Sequence, residues 1–366
     1  MNLAILGTRG IPASYGGFET FAEELSTRLA KRGHRVTVYC RAHSVAYRPD
    51  GDVYRGVRLV FLPTIRHKYL DTVAHTFLSV FHVAGRDEHA VLICNAANSL
   101  LSWIPRVAGQ KTLVNVDGLE RKRRKWNALG RAWYAMSERL STFLPTAIVT
   151  DARTIQNYYR ERYGKKSSFI PYGASPPETT GTAEIERLGL RPRGYALYVS
   201  RLEPENNALL VVRAFEKART TAQLAVVGDA PYARDYITEV RGTNDPRIVF
   251  TGAVYGEAYR ELLANAMCYV HATEVGGTHP ALIEAMAAGC AVLYLQTPEN
   301  REVAGEAGIS FPHDEQALAA AIDLLLADEP RRQDLGAAAA ARARKSYDWE
   351  QVTDQYERLF QELVKG

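Results

Sequence analysis

At 366 residues, 46% apolar and 23% charged, the chain has the composition of an ordinary globular protein and the length of two domains. A net charge of +4 is mild, so the local distribution of charge matters more than the total. Four cysteines (Cys40, Cys94, Cys268, Cys290) lie in or beside apolar strands without C-x-x-C spacing, which fits buried thiols of a reducing compartment rather than zinc ligands or disulfides.

Met1 to Leu6 reads as a short apolar strand, with no charged-then-apolar leader before it, so a cytoplasmic chain is expected. Gly7 to Gly17 is a loop with four glycines, and Phe18 to Arg32 has helical spacing, with Phe18, Phe21, Ala22, Leu25 and Leu29 on one face. Gly33-His34 ends the helix and Arg35–Cys40 is the next strand. This is the opening of a doubly wound sheet, whose ligands sit at strand C-termini. Gly7-Thr-Arg-Gly10 lacks the G-x-G-x-x-G spacing, so a nicotinamide cofactor is disfavoured.

Further strands are expected at Val57–Leu62, Ala90–Cys94, Thr112–Val116 and Ala147–Val149, with helical patterns between most of them, hence a mostly parallel sheet. Asp50-Gly-Asp52, between Tyr47 and Tyr54, has the look of a metal-binding D-x-D but reads better as a hairpin turn. The apolar run Thr72–Ala84 is short and carries His75 and His82, so it spans no membrane. Arg121-Lys122-Arg123-Arg124-Lys125 beside Trp126 is either a solvated charge run or a surface for an anionic acceptor or membrane, where each cation gains about 1 kcal/mol. No nucleic-acid motif accompanies it.

Pro171 to Arg193 forms a polar connector containing Thr179 and Thr180. A second α/β unit comes next, with strands expected at Tyr195–Ser200, Leu224–Val227, Ile248–Thr251, Cys268–His271 and Ala291–Tyr294. The domains are therefore 1–172 and 173–347, facing across a cleft. A last helix, Trp349 to Val364, has the stripe Trp349, Val352, Tyr356, Leu359 and Phe360 and is expected to pack back, within 348–366, on the first domain. In the second half, Glu274 to Leu293 is the richest segment. A Gly276-Gly277-Thr278-His279-Pro turn opens a helix carrying Glu284, a place for an anion at the helix start and a carboxylate for vicinal hydroxyls.

SRLEPENN (Ser200–Asn207), GDAPY (Gly228–Tyr232), FTGAVY (Phe250–Tyr255) and EVGGTHPALIEAMAAG together resemble the nucleotide-binding domain of the retaining family 4 glycosyltransferases of GT-B fold. GTRGIPASYGGFETF and VNVDGLERKRRKW (Val114–Trp126) are similar to a bacterial subgroup that includes rhamnosyltransferases of polysaccharide assembly. The resemblance implies that Arg201 clamps the donor diphosphate, with Asn206 where a lysine is common, and that Glu284 binds the ribose. It implies base contacts at Gly252–Val254, and contacts to sugar or phosphate from Gly276, Gly277 and Thr278. The family's first glutamate would stand at Gly276, with Glu274 two residues upstream. His279 completes that donor loop. From the first domain, Gly16 and Gly17 match a glycine loop that reaches the diphosphate, and Arg9 adds charge. Asp117 is a candidate for donor or acceptor hydroxyls, or else a turn-capping Asp.

The enzyme implied by this resemblance is a retaining, metal-independent hexosyltransferase using a dTDP- or UDP-linked sugar, L-rhamnose favoured, with no cofactor. The implied acceptor is a saccharide, polyprenyl-diphosphate-linked, at the inner membrane face. No carboxylate pair for double displacement is evident. A sugar-nucleotide epimerase of the same fold, or a non-catalytic sugar-nucleotide sensor, are the competing readings.

Overall fold

The computed structural model describes residues 1–13, 16–44, 48, 50–65, 70–124, 126–178 and 181–366, so Lys125 of the basic run, with Ser14, Tyr15, Tyr47, Thr179 and Thr180, lies outside the described residues. Two compact units result. One comprises Met1–Lys122, Trp126–Tyr172 and Trp349–Gly366, the other Arg123–Lys125 and Gly173–Asp348.

The sheet of the first unit is built from β1 (Asn2–Leu6), β2 (Arg35–Arg41), β3 (Val53–Tyr54), β4 (Val57–Leu62), β5 (Ala90–Cys94), β6 (Lys111–Val116), β7 (Ala147–Thr150) and β8 (Ser168–Phe169). Their order is β3-β4-β2-β1-β5-β6-β7-β8, parallel throughout except for the β3–β4 hairpin. β1 and β5 are buried along nearly their whole length, as the apolar runs Leu3–Leu6 and Ala90–Cys94 require of strands covered on both faces. The order turns back on itself between β1 and β5, and the strand C-termini there open a crevice. Closeness at that point needs glycine: a Cβ on Gly7 (φ +90°) would lie 2.4 Å from the Cys94 carbonyl oxygen, and one on Gly10 (φ +110°) 2.5 Å from Cys40 Sγ.

The hairpin turn is displaced from its expected place. Asp50–Asp52 is a short 3₁₀ turn, Arg48 pairs with Asp52 at 2.7 Å, and the chain reverses at Arg55-Gly56, both with positive φ (46° and 83°). The helix Trp349–Lys365 packs on the helix Gly17–Lys31 through rings: Phe21 stands 5.4 Å from Tyr356 and 6.4 Å from Trp349. Asn115 of β6 donates to the Tyr356 hydroxyl at 2.7 Å.

The second unit holds β9 (Tyr195–Val199), β10 (Gln223–Val227), β11 (Ile248–Gly252), β12 (Cys268–His271), β13 (Ala291–Leu295) and β14 (Gly308–Phe311) in one parallel sheet, ordered β11-β10-β9-β12-β13-β14. Its switch point lies between β9 and β12. The four cysteines are buried free thiols, and burial raises Cys40, Cys268 and Cys290 to about 12.

Candidate functional site

The loops that leave β9 and β12 meet at the switch point of the second unit, where an open parallel sheet holds its ligands. After β9 the chain runs through Arg201 into a 3₁₀ turn, Pro204–Asn206, and Asn207 (φ +59°) starts the helix Ala208–Lys217. After β12 it runs through Glu274 to the helix Pro280–Ala287, which His279 precedes as N-cap and Pro280 opens. The loops are stitched together. The Glu274 amide donates to the Glu205 carbonyl at 3.0 Å, and Asn207 Nδ2 donates to the Ala272 carbonyl at 2.9 Å and to Glu274 Oε1 at 3.0 Å.

Arg201 keeps a side chain 39% exposed, with its guanidinium 3.6 Å from Glu203 Oε2. Glu203 is buried and accepts from the Tyr232 hydroxyl at 2.6 Å, so the GDAPY tyrosine holds the carboxylate that orients Arg201. Such an exposed guanidinium, braced from below, can grip phosphate oxygens through two bonds. Asn206 does not stand beside it as a free donor. It is buried and its amide donates to the Arg201 carbonyl at 2.7 Å, so its role is to shape the loop.

Beyond β12, Glu284 accepts from the Tyr259 hydroxyl at 2.6 Å while half-buried one turn into its helix. Glu274 is likewise committed: besides Asn207, it has His313 Nε2 at 3.6 Å and the Arg124 guanidinium at 3.7 Å. Gly276 is explained by its neighbour. A Cβ there would lie 2.4 Å from His279 Cε1, so the imidazole fills the space that any side chain at 276 would need. Burial, with the charge of Arg123 second, lowers His279 to about 3 and keeps it neutral. Gly277 and Thr278 are buried in the same turn, and Gly252 (φ +72°) ends β11 with its carbonyl accepting from the Gly228 amide at 2.8 Å. Val254 is half-buried beyond it.

In the first unit, Gly16 (φ +85°) precedes the helix Gly17–Lys31, so both glycines sit at a helix start. Glu19, in the first turn and 7% exposed, accepts from the Arg9 amide at 2.9 Å, while a Cβ on Gly16 would come 3.2 Å from its other oxygen. Burial raises this carboxyl's pKa. Asp117 comes just after β6, half-exposed, next to Gly118 (φ +144°).

The basic run is not one solvated strip. Arg121 donates to Glu138 at 3.0 Å and to the Tyr158 hydroxyl at 2.7 Å, and Trp126 packs on Tyr134 at 5.0 Å with its indole N–H reaching Glu120. Arg123 is buried in the second unit, 3.6 Å from Glu203 and 3.9 Å from Glu205, both 1% exposed. Lys122 and Arg124 alone of the described members face water. The expectation of five cations acting as a surface is corrected, because buried carboxylates draw Arg121 and Arg123 inward.

Two family models match the chain in order: Glycosyltransferase Family 4 over residues 15–176 and Glycosyl transferases group 1 over 193–328. Over these two segments the chain is similar to the family 4 and group 1 glycosyltransferases. Solved structures give the fold. Sucrose-phosphate synthase from Thermosynechococcus elongatus superposes with a TM-score of 0.83 at 20% identity, over 100% of this chain and 99% of that one. HepE of Anabaena in complex with UDP and glucose does so at 0.80 and 15%, over 98% and 99%. These likenesses make the chain a GT-B protein with two parallel-sheet α/β domains. A curated relative, O-antigen chain mannosyltransferase B of Escherichia coli, is 30% identical over 196 residues, 52% of this chain; the chain spans about half the length of that relative.

Sequence reasoning missed Glu203, Glu205, Tyr232 and Glu19. Their signal was present: carboxylates flank Pro204 in a strand-to-helix loop, and Glu19 comes two residues after a glycine pair at a helix start.

Proposed function

We propose that the chain transfers a hexosyl residue, L-rhamnose first, from a dTDP- or UDP-linked donor to a saccharide acceptor carried on polyprenyl diphosphate, in cell-surface polysaccharide synthesis on the cytoplasmic face. The observation that carries this reading is the switch-point constellation of the second unit: exposed Arg201 braced by Glu203, and a glycine turn opening the helix that carries Glu284. Among the similar structures, WaaG is described as involved in lipopolysaccharide biosynthesis, at TM-score 0.73 and 17% identity. Together with the O-antigen relative it supports the polysaccharide assignment.

The reaction proceeds with retention and without metal. The acceptor oxygen attacks the anomeric carbon on the face from which the diphosphate departs. The electron pair of the breaking C–O bond goes to the diphosphate, and one of its oxygens takes the acceptor proton. Arg201 and the helix start stabilise the departing charge, so catalysis is positioning and electrostatics. Glu284 holds the ribose hydroxyls and the Gly252–Val254 backbone the base.

Arg201→Ala should lower kcat with dTDP-rhamnose about 10²–10³-fold and leave the melting temperature unchanged. Near-normal transfer by that variant would overturn the assignment. Wild-type turnover should survive EDTA. Conversion of the donor without acceptor, monitored by NMR, would point to an epimerase.

A further inference from the structure

Seven of the eleven exposed large apolar side chains among the described residues of the first unit lie on three helices. Phe77 and Phe81 on Asp71–Ala84, Trp103 and Val107 on Trp103–Val107, and Leu129 and Met136 on Ala128–Leu140 are between 42% and 81% exposed. The helices adjoin. The 3₁₀ segment Ala96–Leu101 packs on both long ones, and Arg106 donates to the Phe143 and Leu144 carbonyls, 3.0 and 2.9 Å, just past the third. Ordinary surface helices turn charge outward and carbon inward. Ala128–Leu140 does the reverse with its acid: Glu138, its one carboxylate, is 4% exposed and accepts from Arg121, Tyr158 and Tyr163.

The charge on this face has one sign. Asp71 is the one other acid of the three helices, and it is ion-paired with buried Arg41 at 2.5 Å. Arg106, Arg131 and Arg139 are exposed among the apolar residues, and exposed Lys122 precedes the third helix in sequence. A second copy docking the same patch on itself would oppose cation to cation. An anionic bilayer accepts both components at once, aromatic and aliphatic groups at headgroup depth and guanidiniums on lipid phosphates.

We propose that the face formed by Asp71–Ala84, Trp103–Val107 and Ala128–Leu140 is a peripheral docking surface for an anionic lipid bilayer. It places the membrane contact on these helices and not on the Arg121–Trp126 run, and it does not depend on the chemistry of the donor. The test is sedimentation of the full chain with phosphatidylglycerol/phosphatidylcholine vesicles and with phosphatidylcholine alone. Wild type should sediment with the anionic vesicles only. The triple variant Phe81→Glu, Val107→Glu, Leu129→Glu should lose partition about tenfold or more. Leu129→Glu and Val107→Glu singly, at positions too exposed to threaten the fold, should each lose about threefold, and Arg131→Ala/Arg139→Ala should flatten the salt dependence. Wild type left in the supernatant, or a triple variant that sediments like wild type, overturns the proposal. So does a wild-type dimer that the triple variant converts to monomer, which would assign the face to self-association.

Discussion

Gly228 follows β10 with φ +138°, and a Cβ there would sit 1.7 Å from the carbonyl oxygen of Ser200. No side chain can be accommodated, because the contact is backbone on backbone beside Arg201. Gly228→Ala should cost about 3 kcal/mol or more and weaken donor binding through the displaced Arg201 loop, measured by urea unfolding and by thermal shift with the donor. Gly276 shows a different constraint. Its φ needs no glycine, but the neutral His279 ring occupies its Cβ position. The family's acidic residue cannot be restored at 276 without moving His279. The sequence exposed the departure at 276 and could not give this reason, which lies in a side chain three residues on.

At the scale of elements, β4, β5 and β12 run where alternation and apolar runs put them, and the other long strands differ by a residue or so. The strands without a sequence expectation are β3, β8 and β14. Two are two residues long and the third is a half-exposed edge, so none has the continuous apolar run of a buried strand. The terminal helix shows how an element is fixed twice. Its ring stripe was legible; its ionic clasp was not. Arg32 donates to Glu350 at 2.6 Å, to Asp354 at 2.6 Å and to Glu357 at 2.8 Å, each more than three hundred residues away in sequence. Arg32→Ala should lower stability by about 1–2 kcal/mol and speed amide exchange in Trp349–Lys365. Unchanged exchange there would mean the rings alone hold the helix. The Arg32 hydrogen bond holds Glu350 below the usual carboxylate value, so the clasp is complete above that value and is lost as pH falls through the folded one.

For the whole molecule, pH acts through buried histidines in both units. Burial lowers His75 from 6.5 to about 4 and His279 from 6.5 to about 3, and holds His271 well below 6.5. Between the unfolded and folded values the unfolded chain binds protons that the folded chain refuses. Stability is therefore full above pH 6.5 and falls as pH drops below it, by up to about 1.4 kcal/mol per pH unit for each histidine. The melting temperature should decline from pH 7 to 5, and His75→Gln should flatten part of that slope; a flat wild-type profile would contradict it. By itself the sequence determined the α/β class, the strand positions and the placing of Arg201, Glu274 and Glu284 in strand-to-helix loops. Hydrophobic periodicity and glycine turns are local, so a local reading recovers them. Only the tertiary structure decided which charges point inward. Arg121 and Arg123 read from sequence as members of a charge run and Asn206 as a donor-loop group, yet folding turns each inward onto partners distant in sequence or set by the loop. A charge is drawn inward only where a distant partner offsets its desolvation.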